Sequence, residues 1–122
     1  MPAVMIVDDD HTFRKVLCTL FTEGSGFDDC VEAASASEAM DKIRQLSPNL
    51  AVVDFSIPEM SGLQLARELK ARLPALPIFM LTADYDVAIE KEALACGITA
   101  VFSKHDDLTA VIANARVVCG LE

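Results

Sequence analysis

Five short apolar runs alternate with five stretches of helical periodicity along this chain, and this alternation restricts the fold more than any other feature. The runs are residues 3–7, 30–34, 50–53, 77–81 and 100–102. The periodic stretches are residues 11–22, 37–45, 62–72, 86–96 and 108–118. Repeated strand–helix units form a parallel sheet with helices on both faces, because right-handed crossovers cover each side. The sequence therefore predicts an α/β fold with one doubly wound, five-stranded parallel sheet flanked by five helices.

Capping residues mark several of the predicted helix boundaries. Ser35 and Glu38 have the spacing of a capping box, and so do Ser61 and Gln64. In such a box a hydroxyl and a carboxylate or amide accept backbone N–H groups at the start of a helix. Gly97 suits the end of the fourth helix, where a left-handed residue commonly follows the last turn.

Length and charge limit the classes of function. The chain of 122 residues fits one domain, residues 1–122, without an independent effector or cap. Its 19 acidic and 10 basic residues give a net charge of −9, which repels nucleic acid and anionic lipid. No apolar run approaches the length of a membrane span, and no secretion signal is evident. We therefore expect a cytoplasmic protein that contacts neither DNA nor membrane.

The four cysteines are expected to be reduced thiols. They are Cys18, Cys30, Cys96 and Cys119, and no two of them form a C-x-x-C pair. Most lie in apolar surroundings, where free cysteine behaves as a small hydrophobic residue.

Polar residues follow four of the predicted strands. Asp8 and Asp9 follow the first strand, Asp54 the third, Thr82 the fourth, and Lys104 the fifth. Ligands of open parallel sheets bind outside the carboxyl ends of the strands, near the point where strand order reverses. The five side chains should therefore converge on one edge of the sheet.

The acidic run after the first strand has two interpretations. Asp8, Asp10 and Thr12 match the D-x-D-x-T box of haloacid-dehalogenase-like phosphatases, in which the first Asp is the nucleophile. Alternatively, Asp8 and Asp9 are a metal-binding pair and Asp10 caps the first helix, since acids stabilise helix N-termini. The phosphatase interpretation leaves Asp54 without a role, so the metal-binding interpretation is preferred.

The order and spacing of these residues resemble a response-regulator receiver domain of two-component signalling. The resemblance rests on the acidic pair Asp8 and Asp9, the string VDFSIPEMSG that contains Asp54, the pair Thr82 and Ala83, and Lys104. It covers almost the whole chain. It implies a flavodoxin-like sheet with strand order 2-1-3-4-5.

The resemblance also assigns roles to individual residues. It implies that Asp54 accepts a phosphoryl group from a sensor histidine kinase or phosphotransfer protein, and that the phosphorylated form binds a downstream protein partner. The implied Mg²⁺ ligands are Asp8, Asp9, Asp54 and the carbonyl of Ser56. The implied phosphoryl-binding groups are the backbone N–H groups of Phe55, Ser56 and Ala83 and the side chains of Thr82 and Lys104. Crowded carboxylates require such a hard cation before an anionic donor can approach. The chain is thus expected to be a signalling switch rather than a metabolic enzyme.

Two positions depart from the family pattern. His105 follows Lys104 where the family usually has proline, often after a cis peptide bond, so the loop is either strained or presents Lys104 differently. Val101 stands where the family has an aromatic residue that moves together with the hydroxyl of Thr82. Strand alternation directs the neighbouring Phe102 to the other face of the sheet. These two departures favour the alternative that the chain is an interaction module that is not phosphorylated.

The last helix carries little charge, with Arg116 as its one ionisable residue between Leu108 and Cys119. Its sheet-facing stripe is predicted to be Leu108, Val111, Ile112, Ala115 and Cys119, and its outward stripe Ala110, Ala113, Asn114 and Val117. Small outward residues would allow another helix to approach, which favours a partner surface or a homodimer. The alternative is that alanine is simply a good helix former here.

Overall fold

The computed structural model describes residues 2–121 and has five strands alternating with five helices. The strands are β1 (Ala3–Val7), β2 (Asp29–Ala33), β3 (Leu50–Asp54), β4 (Ile78–Thr82) and β5 (Ala100–Ser103). The helices are α1 (His11–Thr22), α2 (Ala36–Gln45), α3 (Gly62–Arg72), α4 (Val87–Ala95) and α5 (Leu108–Val118). The predicted elements are all present, and β2 and β4 are each displaced by one residue from their predicted bounds.

The strands form one parallel sheet in the order β2-β1-β3-β4-β5, as the sequence predicted. Every position of β1, β3 and β4 is buried, whereas β2 and β5 at the edges are partly exposed. Central parallel strands have helices on both faces, and this explains why their sequences are continuously apolar rather than alternating. Helices α2, α3 and α4 cover one face, and α1 and α5 cover the other.

Each helix begins at a capping residue. Asp10, Ser35, Ser61, Asp86 and Asp107 are the N-caps, each accepting a backbone N–H of the first turn. The capping box at Ser61 is complete. At Ser35 the box is shifted, because the carboxylate of Glu38 accepts the N–H of Ala34 instead of that of Ser35.

The expectation that all cysteines are reduced was wrong for two of them. Cys18 of α1 and Cys30 of β2 form a disulfide, with their Cα atoms 5.7 Å apart. The packing of α1 against β2 brings the two residues together, although their separation of 12 in sequence gave no signal of pairing. Cys96 and Cys119 are free thiols.

Within the described range, no helix has the length and apolar character needed to cross a membrane.

Candidate functional site

The predicted site residues converge at the carboxyl edge of the sheet, beside the point where strand order reverses between β1 and β3. Asp54 and Thr82 are the last residues of β3 and β4, and Asp8 directly follows β1. Lys104 follows β5, and its Nζ lies 2.7 Å from Asp8 Oδ2 and 3.3 Å from Asp54 Oδ2. One ammonium group therefore joins the ends of three strands.

Three carboxylates form a compact cluster at this edge. One carboxylate oxygen from each of Asp8, Asp9 and Asp54 lies within 4.8 Å of the other two. Asp8 is buried, accepting the N–H of Asp10 through Oδ1 and pairing with Lys104 through Oδ2. Asp9 is exposed. Hard oxygen donors in this number suit Mg²⁺, which takes one or two carboxylates and keeps several waters. The donor set therefore fits the predicted ion, with Asp9 the more accessible ligand.

Burial and charge shift the pKa values of the central pair. Burial, together with the neighbouring charge of Asp8, raises the pKa of Asp54 despite the opposing charge of Lys104. Burial acts to lower the pKa of Lys104, but its hydrogen bonds and attraction to Asp8 and Asp54 outweigh that effect and raise it. Lys104 therefore remains a cation beside carboxylates that repel each other, and a further positive charge would relieve this repulsion.

A cavity of about 320 Å³ opens beside Asp54. Its walls include every predicted phosphoryl-binding residue. Asp84 and Ile89 also line it, and the sequence did not indicate them. The full lining is Asp54, Phe55, Ser56, Thr82, Ala83, Asp84, Ile89 and Lys104. The hydroxyl of Thr82 accepts the N–H of Asp84 at 3.2 Å, and the N–H of Ser56 donates to Asp54 Oδ1 at 3.4 Å. The cavity thus brings hydroxyl, amide and ammonium donors to one side of a carboxylate.

The N–H of one predicted phosphoryl-binding residue, Phe55, is hydrogen-bonded within the sheet. The N–H of Phe55 donates to the carbonyl of Leu81 at 2.9 Å, because the β3–β4 ladder continues one residue beyond β3. Phe55 therefore lines the cavity with its N–H engaged in the sheet, and its role toward a phosphoryl group stays a prediction.

Sequence reasoning missed two side chains of α1 that support the site. The ring of Phe13 lies 4.5 Å from Lys104 Nζ, a cation–π arrangement. Arg14 donates to the carbonyl of Asp8 at 2.6 Å and to Glu32 of β2 at 2.9 Å. The helical phase of α1 could have placed both on its inner face, but nothing in the sequence identified their partners.

His105, the residue after Lys104, lies in a loop without a cis peptide bond. No cis peptide bond occurs between residues 2 and 121. The N–H of His105, which proline would lack, donates to Ser103 Oγ at 3.1 Å. Lys104 reaches both Asp8 and Asp54 from this loop.

Val101 and Phe102 lie on opposite faces, as strand alternation predicted. Val101 is half-buried and packs on the side of α2, α3 and α4. Phe102 packs on the side of α1 and α5, with its ring centroid 5.2 Å from that of Phe79. Phe102 therefore does not replace the aromatic residue that the family has at position 101.

The outward stripe of α5 is exposed as predicted. Its members Ala110, Ala113, Asn114 and Val117 are solvent-accessible, and Val117 is 78% exposed. The sheet-facing stripe of α5 packs in the core between the sheet and the two helices α1 and α5.

The fold and the site together define a receiver of the two-component type. The chain matches the family model described as response regulator receiver domain over residues 4–116, and it belongs to that family. Membership identifies it as a signalling domain of the receiver type. Receiver domains bind Mg²⁺ in an acidic pocket, which agrees with the carboxylate cluster.

The chain is similar to parts of longer proteins that are named for different activities. The chain is 31% identical over 101 residues to the transcriptional activator protein ExaE of Pseudomonas putida. This match covers 83% of the chain and 47% of ExaE. It is 32% identical over 102 residues to a protein-glutamate methylesterase/protein-glutamine glutaminase of Paramagnetospirillum magneticum, which covers 84% of this chain and 28% of that protein. The chain thus spans less than half of each relative.

A solved structure supports the fold. The receiver domain of the Francisella response regulator 1452 superposes with a TM-score of 0.90 at 23% identity, over 98% of both chains.

Proposed function

We propose that Asp54 accepts a phosphoryl group from the phosphohistidine of a sensor histidine kinase or a phosphotransfer protein, and that residues 1–122 act as one receiver domain. The observation that carries this proposal is the position of Asp54. It is 8% exposed at the end of a central strand, 3.3 Å from Lys104 and on the same cavity as Thr82. An ionisable group at such a site is costly unless it has a function or a partner.

Phosphoryl transfer requires positioning and charge stabilisation more than covalent help from the protein. A carboxylate oxygen of Asp54 forms the new bond to phosphorus, the phosphorus–nitrogen bond breaks, and the imidazole of the donor departs. Lys104 neutralises phosphoryl oxygens, while the N–H groups of Ser56 and Ala83 donate to them. A Mg²⁺ ion held by Asp8, Asp9, Asp54 and the carbonyl of Ser56 would supply the remaining positive charge.

The change then passes to the loop between β4 and α4. In the unphosphorylated protein Thr82 Oγ1 accepts the N–H of Asp84. If the hydroxyl turns toward the phosphoryl group, that hydrogen bond is lost and the loop is released. Val101 offers no aromatic ring to follow the hydroxyl, so the readout in this chain involves the loop and α4. The downstream partner is a protein, since the net charge of −9 opposes direct contact with nucleic acid.

Intact-mass measurement after incubation with acetyl phosphate and Mg²⁺ tests the proposal. The wild-type protein should gain the mass of one phosphoryl group, and Asp54→Asn should gain none. Asp8→Asn should still be labelled, more slowly, because the nucleophile remains while metal support is weakened. Labelling that disappears in Asp8→Asn but persists in Asp54→Asn would favour the phosphatase chemistry instead. A wild-type protein that is never labelled would favour an interaction module that works without phosphorylation.

We further propose that the outward stripe of α5 associates with a second copy or a partner helix. A solvated helix face normally carries Lys and Glu, whereas Ala110, Ala113 and Val117 expose small or apolar side chains. Sedimentation velocity with and without beryllofluoride provides the test. Association should be abolished by Val117→Glu, which leaves the fold intact. A protein that remains monomeric in both states, or a dimer indifferent to Val117→Glu, would remove this proposal.

A further inference from the structure

The loop between β3 and α3, residues 55–61, is closed at its base by backbone contacts. Ser56 and Ser61 form an isolated antiparallel bridge, and the N–H of Gly62 donates to the carbonyl of Phe55 at 2.8 Å. A side chain at Gly62 would collide with the carbonyl of Asp54, which explains why glycine follows the loop. The base of the loop is therefore fixed directly against the strand that ends in Asp54.

The tip of the loop contains an unusual backbone conformation. Glu59 has φ of +84° and is the single non-glycine residue with a positive φ between residues 2 and 121. Residues with a Cβ rarely adopt this region, and when they do the surrounding structure must hold them there.

The carboxylate of Glu59 provides that hold by binding the start of α2. Its Oε1 accepts the N–H of Ser37 at 2.8 Å, and its Oε2 accepts the hydroxyl of the same serine at 2.9 Å. Ser37 is the second residue of α2, so its N–H has no partner within the helix. The N-cap Ser35 binds the N–H of Glu38, and Glu59 satisfies a different donor. A negative charge at a helix N-terminus is also favourable.

We propose that Glu59 is a positioning residue that ties the tip of this loop to α2 and thereby holds Ser56 in place for Mg²⁺ and the phosphoryl group. This inference rests on the proposed function. Ser56 lies within the same loop, three residues before Glu59, and it lines the cavity beside Asp54. Ser56 is one partner of the bridge at the base, and the tie at the tip restrains residues 57–60, which connect Ser56 to its bridge partner Ser61. Breaking the tie leaves Asp54 in place but leaves Ser56 held by a single bridge, which opens more readily once residues 57–60 are free to move.

Three variants separate positioning from other roles. Glu59→Gly removes both hydrogen bonds and also relieves the cost of positive φ, because glycine adopts this region readily. Glu59→Gln removes the charge but keeps an oxygen for the N–H of Ser37. Ser37→Ala removes the hydroxyl donor and leaves Glu59 and its charge unchanged.

The measurements are Mg²⁺ affinity, from NMR titration with the metal alone, and the urea midpoint of unfolding. Glu59→Gly should weaken Mg²⁺ binding about tenfold, the low end of the effect of losing an outer-shell partner. Its urea midpoint should stay equal to the wild-type value or rise. Glu59→Gln should remain within about twofold of wild type, and Ser37→Ala should fall between the two. A residue that only stabilised the fold would lower the midpoint without this selective loss of metal affinity.

Two results would overturn the proposal. One is a Glu59→Gly protein that binds Mg²⁺ within twofold of wild type. The other is a Glu59→Gln protein that loses as much affinity as Glu59→Gly, which would show that charge rather than hydrogen bonding matters. Mg²⁺ titration needs no phosphorylation, so the two proposals can fail separately. If the affinities follow the predicted order while acetyl phosphate labels nothing, the positioning role stands and the phosphoacceptor role fails.

Discussion

The two helices on either side of the site, α1 and α4, are attached to the sheet in different ways. α1 buries Leu17, Cys18 and Phe21 and is linked covalently to β2. α4 buries one residue, Ala93, while Leu94 is 47% exposed. Burial of apolar side chains is the main source of stability for a surface helix, so α1 is held firmly and α4 weakly.

This difference matches the tasks that the two sides would perform. Arg14 of α1 fixes the carbonyl of Asp8 and ties it to Glu32, so the acidic cluster stands on the firm side. On the weak side, Ile89 of α4 lines the cavity, and the preceding loop is joined to Thr82 by one hydrogen bond. Local stability governs which segments open or shift. A structure of this kind would hold its metal ligands still while the β4–α4 side responds to the phosphoryl group.

The largest expected effect is the difference in the free energy of unfolding between large-to-small substitutions on α1 and on α4. Leu17→Ala removes a fully buried side chain and leaves a cavity, and it should lower the free energy of unfolding by about 3–4 kcal/mol. Leu94→Ala, at an exposed position of α4, should change it by no more than about 0.5 kcal/mol. Urea denaturation of the two variants compares them directly. Equal losses would show that α4 is packed as firmly as α1.

Reduction of the disulfide between α1 and β2 should have the next largest effect on stability. A cross-link between residues 12 apart stabilises mainly by restricting the unfolded chain, by about 2–3 kcal/mol. Addition of dithiothreitol should therefore lower the urea midpoint of the wild-type protein and have no effect on Cys18→Ser. Cys96→Ser, which replaces a free thiol, is the matched control and should respond to reductant like the wild type. An unchanged midpoint in dithiothreitol would refute a stabilising cross-link.

Removing the charge of Glu32 should have a smaller effect that depends on pH. The hydrogen bond from Lys15, followed by that from Arg14, lowers the pKa of Glu32 below 4.5 despite the opposing effect of burial. A carboxyl with a lowered folded pKa stabilises the protein above its unfolded pKa and loses this contribution as pH falls through the folded value. Glu32→Gln should therefore lower the free energy of unfolding by roughly 1 kcal/mol at pH 7, and by almost nothing at a pH below the folded pKa of Glu32. A cost that does not change with pH would mean that packing, not charge, is responsible.

The fold could be predicted almost completely from the sequence because its signals are local. Apolar runs, helical periodicity and residues such as Ser61 act within a few positions of each other. The carboxyl-edge rule then placed Asp8, Asp54, Thr82 and Lys104 together without knowledge of any distance.

Contacts between distant elements could not be predicted in this way. The pairing of Cys18 with Cys30 and of Glu59 with Ser37 depends on how helices and loops meet in space. The hydrogen bond from Phe55 to Leu81 was likewise not foreseen, because a propensity pattern does not show where the β3–β4 ladder ends. The outcome therefore separates what neighbouring residues determine from what tertiary packing determines.

Residue-resolved amide hydrogen exchange, with and without acetyl phosphate and Mg²⁺, tests most directly whether the phosphoryl signal passes through the weakly held side. We predict that phosphorylation changes exchange rates in residues 83–97, which include α4, and leaves those of α1 almost unaltered. Asp54→Asn should show no change in either region under the same conditions. Equal changes in α1 and α4, or a response that persists in Asp54→Asn, would contradict it.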